Sequence, residues 1–305
     1  MELRQIQHFL AVVEQGSLGK AAATLRITQA AVSKSIKRLE DELRVKLLDR
    51  SARGVRPTIF GQSFATHARH IAHEALNARY DIEALRGAKG GDLRVGTSPS
   101  IARQLLPRAV SRLLARRPGV RIQVFTGMVT DLFEKIRRGD LDLLVSALPS
   151  DVHDDDLVQS DLFTSPVKLV VGPHHRLVEV PDVQLRDLLD YDWIVPIGAA
   201  SGRDQLEHSF RAVGLRVPVP KIETDSISFI CAFLNESRFI SLLPHELLTI
   251  EQRADRLRPI AVRGTNWCRP VSVVHRRRTT QPPIVKLLVN ELKHLAAGGL
   301  TRSDM

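Results

Sequence analysis

Apolar residues at Leu3, Ile6, Phe9, Leu10 and Val13 recur at helical spacing and stop at Gln15-Gly16, a usual helix end. Ser17 is placed to cap a second helix running to Leu25, whose alanines at 21–23 permit close approach of a neighbour. Arg26-Ile27 is a short connection, and Thr28 is a natural N-cap for a third helix. There Val32, Ile36, Leu39 and Leu43 are spaced 4, 3, 4 and face the core, so Gln29, Ala30, Ser33, Lys34 and Lys37 face away from it. Residues 45–50 and 55–58 then read as short strands around the turn Ser51-Ala52-Arg53-Gly54. This is the pattern of a helix-turn-helix followed by a wing.

Residues 60–86 hold no proline, and only Gly61 weakens a helix there. Phe64, Ala68, Ile71, Ala75, Ala78, Ile82 and Leu85 alternate at spacings of 4 and 3, a coiled-coil seam of three heptads. A helix of that length spans roughly 40 Å at about 1.5 Å per residue. The alternative is a buried helix of the main domain; the break Gly87-Ala88-Lys89-Gly90-Gly91 argues instead for a hinge and a domain boundary.

From residue 92 the period alternates. Strands are predicted at 92–97, 120–127 and 141–145, with helices at 101–114 and 131–138 between them. A second set has strands at 167–171, 193–197 and 219–224 with helices at 185–189, 203–213 and 227–235. A strand at 271–275 returns to the first set before a last helix at 283–295. Such alternation implies a parallel sheet with helices on both faces. The fold class is therefore an α/β body of two lobes, crossed near 163–166 and 264–270, preceded by the winged helix-turn-helix and a long helix. The boundaries expected are 1–58, 59–91 and 92–305, with lobe 1 at 92–164 and 268–297 and lobe 2 at 165–267.

Charge sharpens this picture. The 305 residues carry 44 Lys/Arg against 34 Asp/Glu, a net +10. Residues 1–58 hold 11 basic and 6 acidic side chains, so half of the excess sits in the first fifth of the chain. A basic terminal module on a nearly balanced body is the footprint of nucleic-acid binding, although charge counts alone also fit a solvated basic face. No run of 18 apolar residues is present, so a membrane partner is not expected. Two distant cysteines, Cys231 and Cys268, exclude a disulfide framework and fit a cytoplasmic protein.

The outward face of the third helix suits a major groove. Gln29 can bond base edges, Ser33 is small enough for close approach, and Lys34 and Lys37 reach guanine edges or phosphates. Thr28 at the helix N-terminus can hold a phosphate oxygen, and Arg53 at the wing tip can enter a minor groove. The run Leu3, Phe9, Gly16-Ser17, Ala21-Ala22, Leu25, Gln29-Ala30-Ala31-Val32-Ser33, Ile36, Leu39-Glu40, Leu47, Arg50, Thr58 and Gly61 resembles the winged helix-turn-helix of LysR-type transcriptional regulators, without gaps. Two positions depart from it: Arg44 stands where glycine is usual, and Leu48 where phenylalanine is usual.

The resemblance extends to the body, through Gly139-Asp140-Leu141-Asp142 and the two-lobed pattern, which is that of a periplasmic-binding-protein-like effector domain. It adds Arg50 and Thr58 to the DNA-contacting set of Thr28, Gln29, Ala30, Ser33, Lys34, Lys37 and Arg53. It implies a homodimer through the long helix, a homotetramer through the effector domains, promoter DNA and RNA polymerase as partners, and a small-molecule effector.

A two-lobed body takes ligands in the crevice at the carboxyl ends of its strands. Candidates there are Thr97, Ser98 and Ser100 after the first strand, Thr130 after the second, and Ser201, Gly202, Arg203 and Ser226 opposite. A carboxylate or a sugar-like metabolite fits such hydroxyls with an arginine. Helix capping is an equal reading for Ser98, Ser201 and Ser226, and an ion pair with Glu207 for Arg203. No enzyme signature emerges: G-x-S-x-G, the Walker lysine and a dinucleotide fingerprint are missing, and His245-Glu246-Leu247-Leu248-Thr249 lacks a second histidine. His174-His175 reads as a turn, Asp154-Asp155-Asp156 as a solvated loop, and Arg276-Arg277-Arg278 as a solvated face or subunit contact; neither a cofactor nor a metal is expected. A binding protein or enzyme on the same fold, with a repurposed N-terminal module, is the alternative.

Overall fold

A computed structural model describes residues 1–51, 54–85, 90–148, 154–197, 200–253, 255–277 and 282–297. The chain divides into two compact units, Met1–Gly90 with Lys135–Asp140, and Gly91–Glu134 with Leu141–Met305.

In the first unit α1 (Leu3–Gln15), α2 (Leu18–Leu25) and α3 (Gln29–Leu43) precede β1 (Leu48–Ser51), β2 (Gly54–Pro57) and α4 (Ile59–Leu85). Gly16 ends α1 at φ 61°, Ser17 Oγ accepts from the Lys20 N–H, and Thr28 Oγ1 accepts from the Ala31 N–H, so the expected caps form. Arg26 and Arg44 take the left-handed conformation at the ends of α2 and α3. Ile6, Phe9, Val32, Ile36 and Leu39 are buried, but Leu43 is exposed: α3 outruns the core by a turn. Buried Glu40 takes over that end of the core. It accepts from the N–H groups of Leu47 (2.9 Å) and Leu48 (3.1 Å) and pairs with Lys46, tying α3 to the first wing strand. Burial pushes its carboxyl upward, yet the Lys46 bond and the two backbone bonds outweigh this and hold its pKa below the ordinary value.

Gly61 belongs to a close approach rather than a weak point. A Cβ there would lie 2.0 Å from the Leu47 carbonyl oxygen, which accepts from the Thr58 N–H. The seam on α4 divides. Phe64 and Ala68 pack into the chain's own core, with Phe64 edge-on to Phe9 at 5.1 Å, whereas Ile71, Ala78 and Ile82 are exposed. The Leu85 side chain, residues 87–89 of the expected hinge, and Arg53 lie outside the described set.

In the second unit β3 (Gly90–Thr97) leads to α5 (Pro99–Arg103) and α6 (Leu105–Arg116), two helices where one was expected. Gln104 breaks them at φ −135°, ψ −60°, because Pro107 has no N–H for the Arg103 carbonyl and is tolerated only in the first turn of a new helix. β4 (Gly119–Thr126), α7 (Val129–Arg137) and β5 (Leu143–Ala147) follow. β6 (Leu157–Val171) is a 15-residue strand of which only the last third was expected. Lobe 2 continues with β7 (Ile194–Pro196), α8 (Ala200–Ala212), β8 (Ile222–Thr224) and α9 (Ile227–Glu236). Then come β9 (Ser241–Pro244), α10 (His245–Arg253) and β10 (Arg258–Ile260), none of them anticipated, and finally β11 (Cys268–Arg276) and α11 (Pro283–Ala297). Residues 185–190 form a 3₁₀ turn where an α-helix was expected.

The sheet corrects the expectation of parallel strands. Among the described residues its order is β10-β6-β11-β5-β3-β4, with β9 also on β6. β3 and β5 are parallel, but β11 runs antiparallel to both β5 and β6, and β9 and β10 run antiparallel to β6. The cause is the crossing: β6 pairs β11 from Leu157 to Pro166 and then, from Val167, exchanges it for β9 and β10 of lobe 2. Lobe 1 buries Val95, Leu105, Leu143, Val273 and Leu288; lobe 2 buries two clusters around Trp193 and around Leu243. In the turn before residue 176, His175 is buried rather than solvated, accepting from the Leu177 N–H at Nδ1 and donating from Nε2 to the Arg238 carbonyl.

Candidate DNA-reading face and ligand cleft

The face of α3 is set by its buried stripe. With Val32, Ile36 and Leu39 inward, Gln29, Ala30, Lys34 and Lys37 are exposed and Ser33 half-buried. Arg50, on β1, donates to Ser33 Oγ at 3.2 Å, so one arginine of the wing is already seated beside the helix. The Thr28 hydroxyl is engaged as a cap, and its exposed position at the helix start leaves the first-turn N–H groups facing outward. The Thr58 hydroxyl donates to the Lys46 carbonyl (2.7 Å) and accepts from Gly61 N–H (3.0 Å), so it, like Thr28, serves as a helix cap, here of α4.

The cleft lies between the lobes of the second unit, a cavity of about 470 Å³. Of the expected residues, Ser98, Ser100, Thr130, Gly202 and Arg203 line it. Thr97 does not: it is fully buried and donates to the Val145 carbonyl across the β3–β5 pair. Ser226 does not either, its hydroxyl capping α9 by accepting from the Phe229 N–H. The Ser201 side chain is outside the described set. Arg203 is spent on ion pairs with Glu207 (3.1 Å) and Glu223, whose hydrogen bonds raise its pKa above the ordinary value. The ion-pair reading of Arg203 is the one the structure shows.

The cation at the base of the cleft is Arg269, next to the β6–β11 crossing. It is nearly buried, donates to Ser100 Oγ at 2.9 Å, and pairs with buried Glu246 at 3.4 Å. Glu246 in turn accepts from the Ser165 hydroxyl at 2.8 Å. Burial pulls the Arg269 pKa below its ordinary value, against the opposing pull of Glu246. Arg269 Nε, and Ser146 Oγ on the same cavity wall, have no hydrogen-bond partner among the described residues. Most of the remaining wall is apolar, with Trp193, Val195, Leu206, Leu242 and Leu247. Sequence reading missed Arg269, Glu246 and Ser146. The available signal was an arginine between Cys268 and Pro270 inside the predicted crossing, where a charge has no solvent-facing helix to serve.

Below the cleft, α5 is stapled to α10: buried Glu251 accepts from Arg103 and Arg256, both at 2.8 Å. Among the described residues no cluster of three metal-ligating side chains occurs, and no helix is long and apolar enough to cross a membrane.

Residues 3–62 match the family model of the bacterial regulatory helix-turn-helix protein, lysR family, and residues 86–297 match that of the LysR substrate binding domain. The HTH-type transcriptional regulator PcaQ of Agrobacterium fabrum is 31% identical over 302 residues, covering 98% of this chain and 96% of that one. Among solved structures, a full-length OxyR variant from Pseudomonas aeruginosa superposes with a TM-score of 0.77 at 21% identity, over 100% of this chain and 98% of that one. Full-length CbnR in complex with its target DNA gives 0.70 at 23%, over 96% and 99%. Both likenesses concern the fold; the two family models together span nearly all of the sequence, and the chain belongs to the LysR family of transcriptional regulators.

Proposed function

We propose that the protein reads promoter DNA as a homodimer, through Thr28, Gln29, Ala30, Ser33, Lys34 and Lys37 of α3 and Arg50 and Arg53 of the wing. A small-molecule effector in the cleft adjusts that binding. The observation that carries this is the outward face of α3, exposed, basic and flanked by Arg50 seated on Ser33. The functional boundaries are 1–58 for DNA reading, 59–91 for pairing and 92–305 for effector binding. The pairing surface is the rest of the α4 seam, Ile71, Ala75, Ala78, Ile82 and Leu85, because Phe64 and Ala68 are used within the chain. Association of effector domains would then give a tetramer able to bend DNA between two sites. The protein works in the cytoplasm beside RNA polymerase, and its output is DNA occupancy rather than catalysis.

The test is binding to promoter fragments across a salt series. Wild-type affinity should fall steeply with salt, and K34E/R53E should abolish specific binding. Specific binding retained by that double variant refutes the reading. For the cleft, the ligand class supported is a small carboxylate or a sugar-like metabolite, to be sought as a concentration-dependent rise in melting temperature.

A further inference from the structure

We infer that Arg103 and Glu251 form a releasable latch between the lobes, holding their twist in one arrangement until the pair parts; this rests on the reading of the body as the regulated half of the protein. The helices that carry the pair belong to different lobes. α5 is rooted in lobe 1 by Ile101, and α10 in lobe 2 by Leu247 and Leu248. Two polar links join them. In the inner one Glu246 pairs with Arg269, which donates to Ser100 of α5, and the same carboxylate accepts from Ser165 of β6. Ser165 and Arg269 are partners in the β6–β11 ladder at the crossing, so this link sits at the pivot. Glu251 stands further along α10, about 7.5 Å from Glu246 at about 1.5 Å per residue. It accepts directly from Arg103 at 2.8 Å, and a twist at the crossing displaces this outer link more than the inner one.

A buried ion pair adds little net stability, because desolvation offsets the attraction, but parting it is costly, so its effect is to select one arrangement. Apolar contacts tolerate sliding, whereas a charge-assisted hydrogen bond does not. The third member of the cluster makes this pair releasable. Glu251 is buried and would be stranded if Arg103 left it, yet Arg256, also at 2.8 Å, comes from the same lobe as the carboxylate. The Arg256 N–H donates to the Glu251 backbone carbonyl and the next residue, Leu257, is in the lobe 2 core, so Arg256 travels with Glu251. The Arg103 side chain is 31% exposed and passes to water. Parting the lobes here therefore strands no buried charge: one cation stays, and the other is solvated.

The test compares the two arginines, since both bind Glu251 and only one crosses between the lobes. Spin labels on unnatural amino acids replacing exposed Arg112 of α6 and Arg211 of α8 report the lobe arrangement as a distance. Pulsed electron resonance reads it on the full-length protein, diluted with unlabelled chain so that pairs within one molecule dominate. Wild type should give one narrow distance. R103Q and R256Q should each lower the melting temperature by a few degrees, but only R103Q should broaden or shift the distance, and R103K should restore it. R103M/E251M, which leaves no buried charge, should loosen the lobes at a melting temperature near that of wild type, separating loosening from loss of stability. A wild-type distance in R103Q and R103M/E251M, or equal loosening in R256Q, overturns the latch. On a duplex that the protein selects from a random-sequence pool, R103Q should change the length of the nuclease footprint and R256Q should not. Loosened lobes with an unchanged footprint uphold the latch and overturn the reading of the body as the regulator of DNA binding.

Discussion

Glu40 makes the sharpest test of how the DNA-reading unit is held. In Glu40→Ala the N–H groups of Leu47 and Leu48, both buried, lose their only acceptor. Each orphaned donor costs about 1–3 kcal/mol. The Lys46 partner is 72% exposed, so its pair contributes under about 1 kcal/mol. The sum, about 2–7 kcal/mol, is a large part of the 5–15 kcal/mol typical of a folded domain. Urea unfolding of the full-length protein should show this loss in the transition of the first unit. Glu40→Gln keeps one acceptor for both N–H groups and should lose only about 1–2 kcal/mol. DNA affinity should drop in Glu40→Ala with no change in its salt slope, since no phosphate-facing cation is removed. Lys34→Ala should instead reduce that slope by about 1. A loss below about 1 kcal/mol in Glu40→Ala, equality of the two Glu40 variants, or a reduced salt slope would falsify the assignment of Glu40 as the lock between α3 and the wing.

Four further outcomes are expected. Arg44→Gly should stabilise the first unit by about 1 kcal/mol, because Arg44 holds φ 58° at the end of α3, and thermal melting reads the gain. Gly61→Ala should do the reverse, forcing a Cβ onto the Leu47 carbonyl and lowering both melting temperature and DNA affinity; an unchanged melt would refute the close approach. Glu40 and Glu251 both have folded pKa values below their ordinary value of 4.5, so their stabilisation is full above about pH 4.5 and is lost as pH falls through the lower folded values. An acid titration of stability should lose this component in Glu251→Gln. His175 is buried neutral with its pKa lowered chiefly by burial, so its contribution is full above about pH 6.5 and declines as pH falls below that; a His175→Gln variant should flatten the melting temperature between about pH 7.5 and 5.5.

The first unit was legible because its helices are short, amphipathic and capped by local residues. Val32, Ile36 and Leu39 had one side available, and Ser17 and Thr28 stood beside the N–H groups they cap. Leu43 was misread because periodicity continues past the place where the core ends. In the body, β6 was cut short because residues 157–166 are only partly buried and read as polar. β9 and β10 are three or four residues long, too short for alternation to appear, and their partner lies about 70–90 residues away in β6. The cleft shows the same limit. Ser98 and Ser100 sit at the cap and in the first turn of α5, directly after a strand, where fold geometry alone places them. Arg269 and Ser100, 169 positions apart, meet only after the lobes cross. Arg203 drew attention as a charge at a helix start, yet its neighbours Glu207 and Glu223 consume it.

β6 has a mechanical meaning. A single strand of 15 residues enters one lobe and leaves in the other, hydrogen-bonded on both sides of the crossing. Opening such a body like a clamshell would shear ladder bonds at the crossing, while rotating one lobe about the strand axis leaves the ladders paired. The strand therefore behaves as a torsion bar, stiff to bending and compliant to twist. A molecule bound between the lobes would then register as a change in their twist about β6, and any assembly built on both lobes would convert that angle into spacing along its DNA.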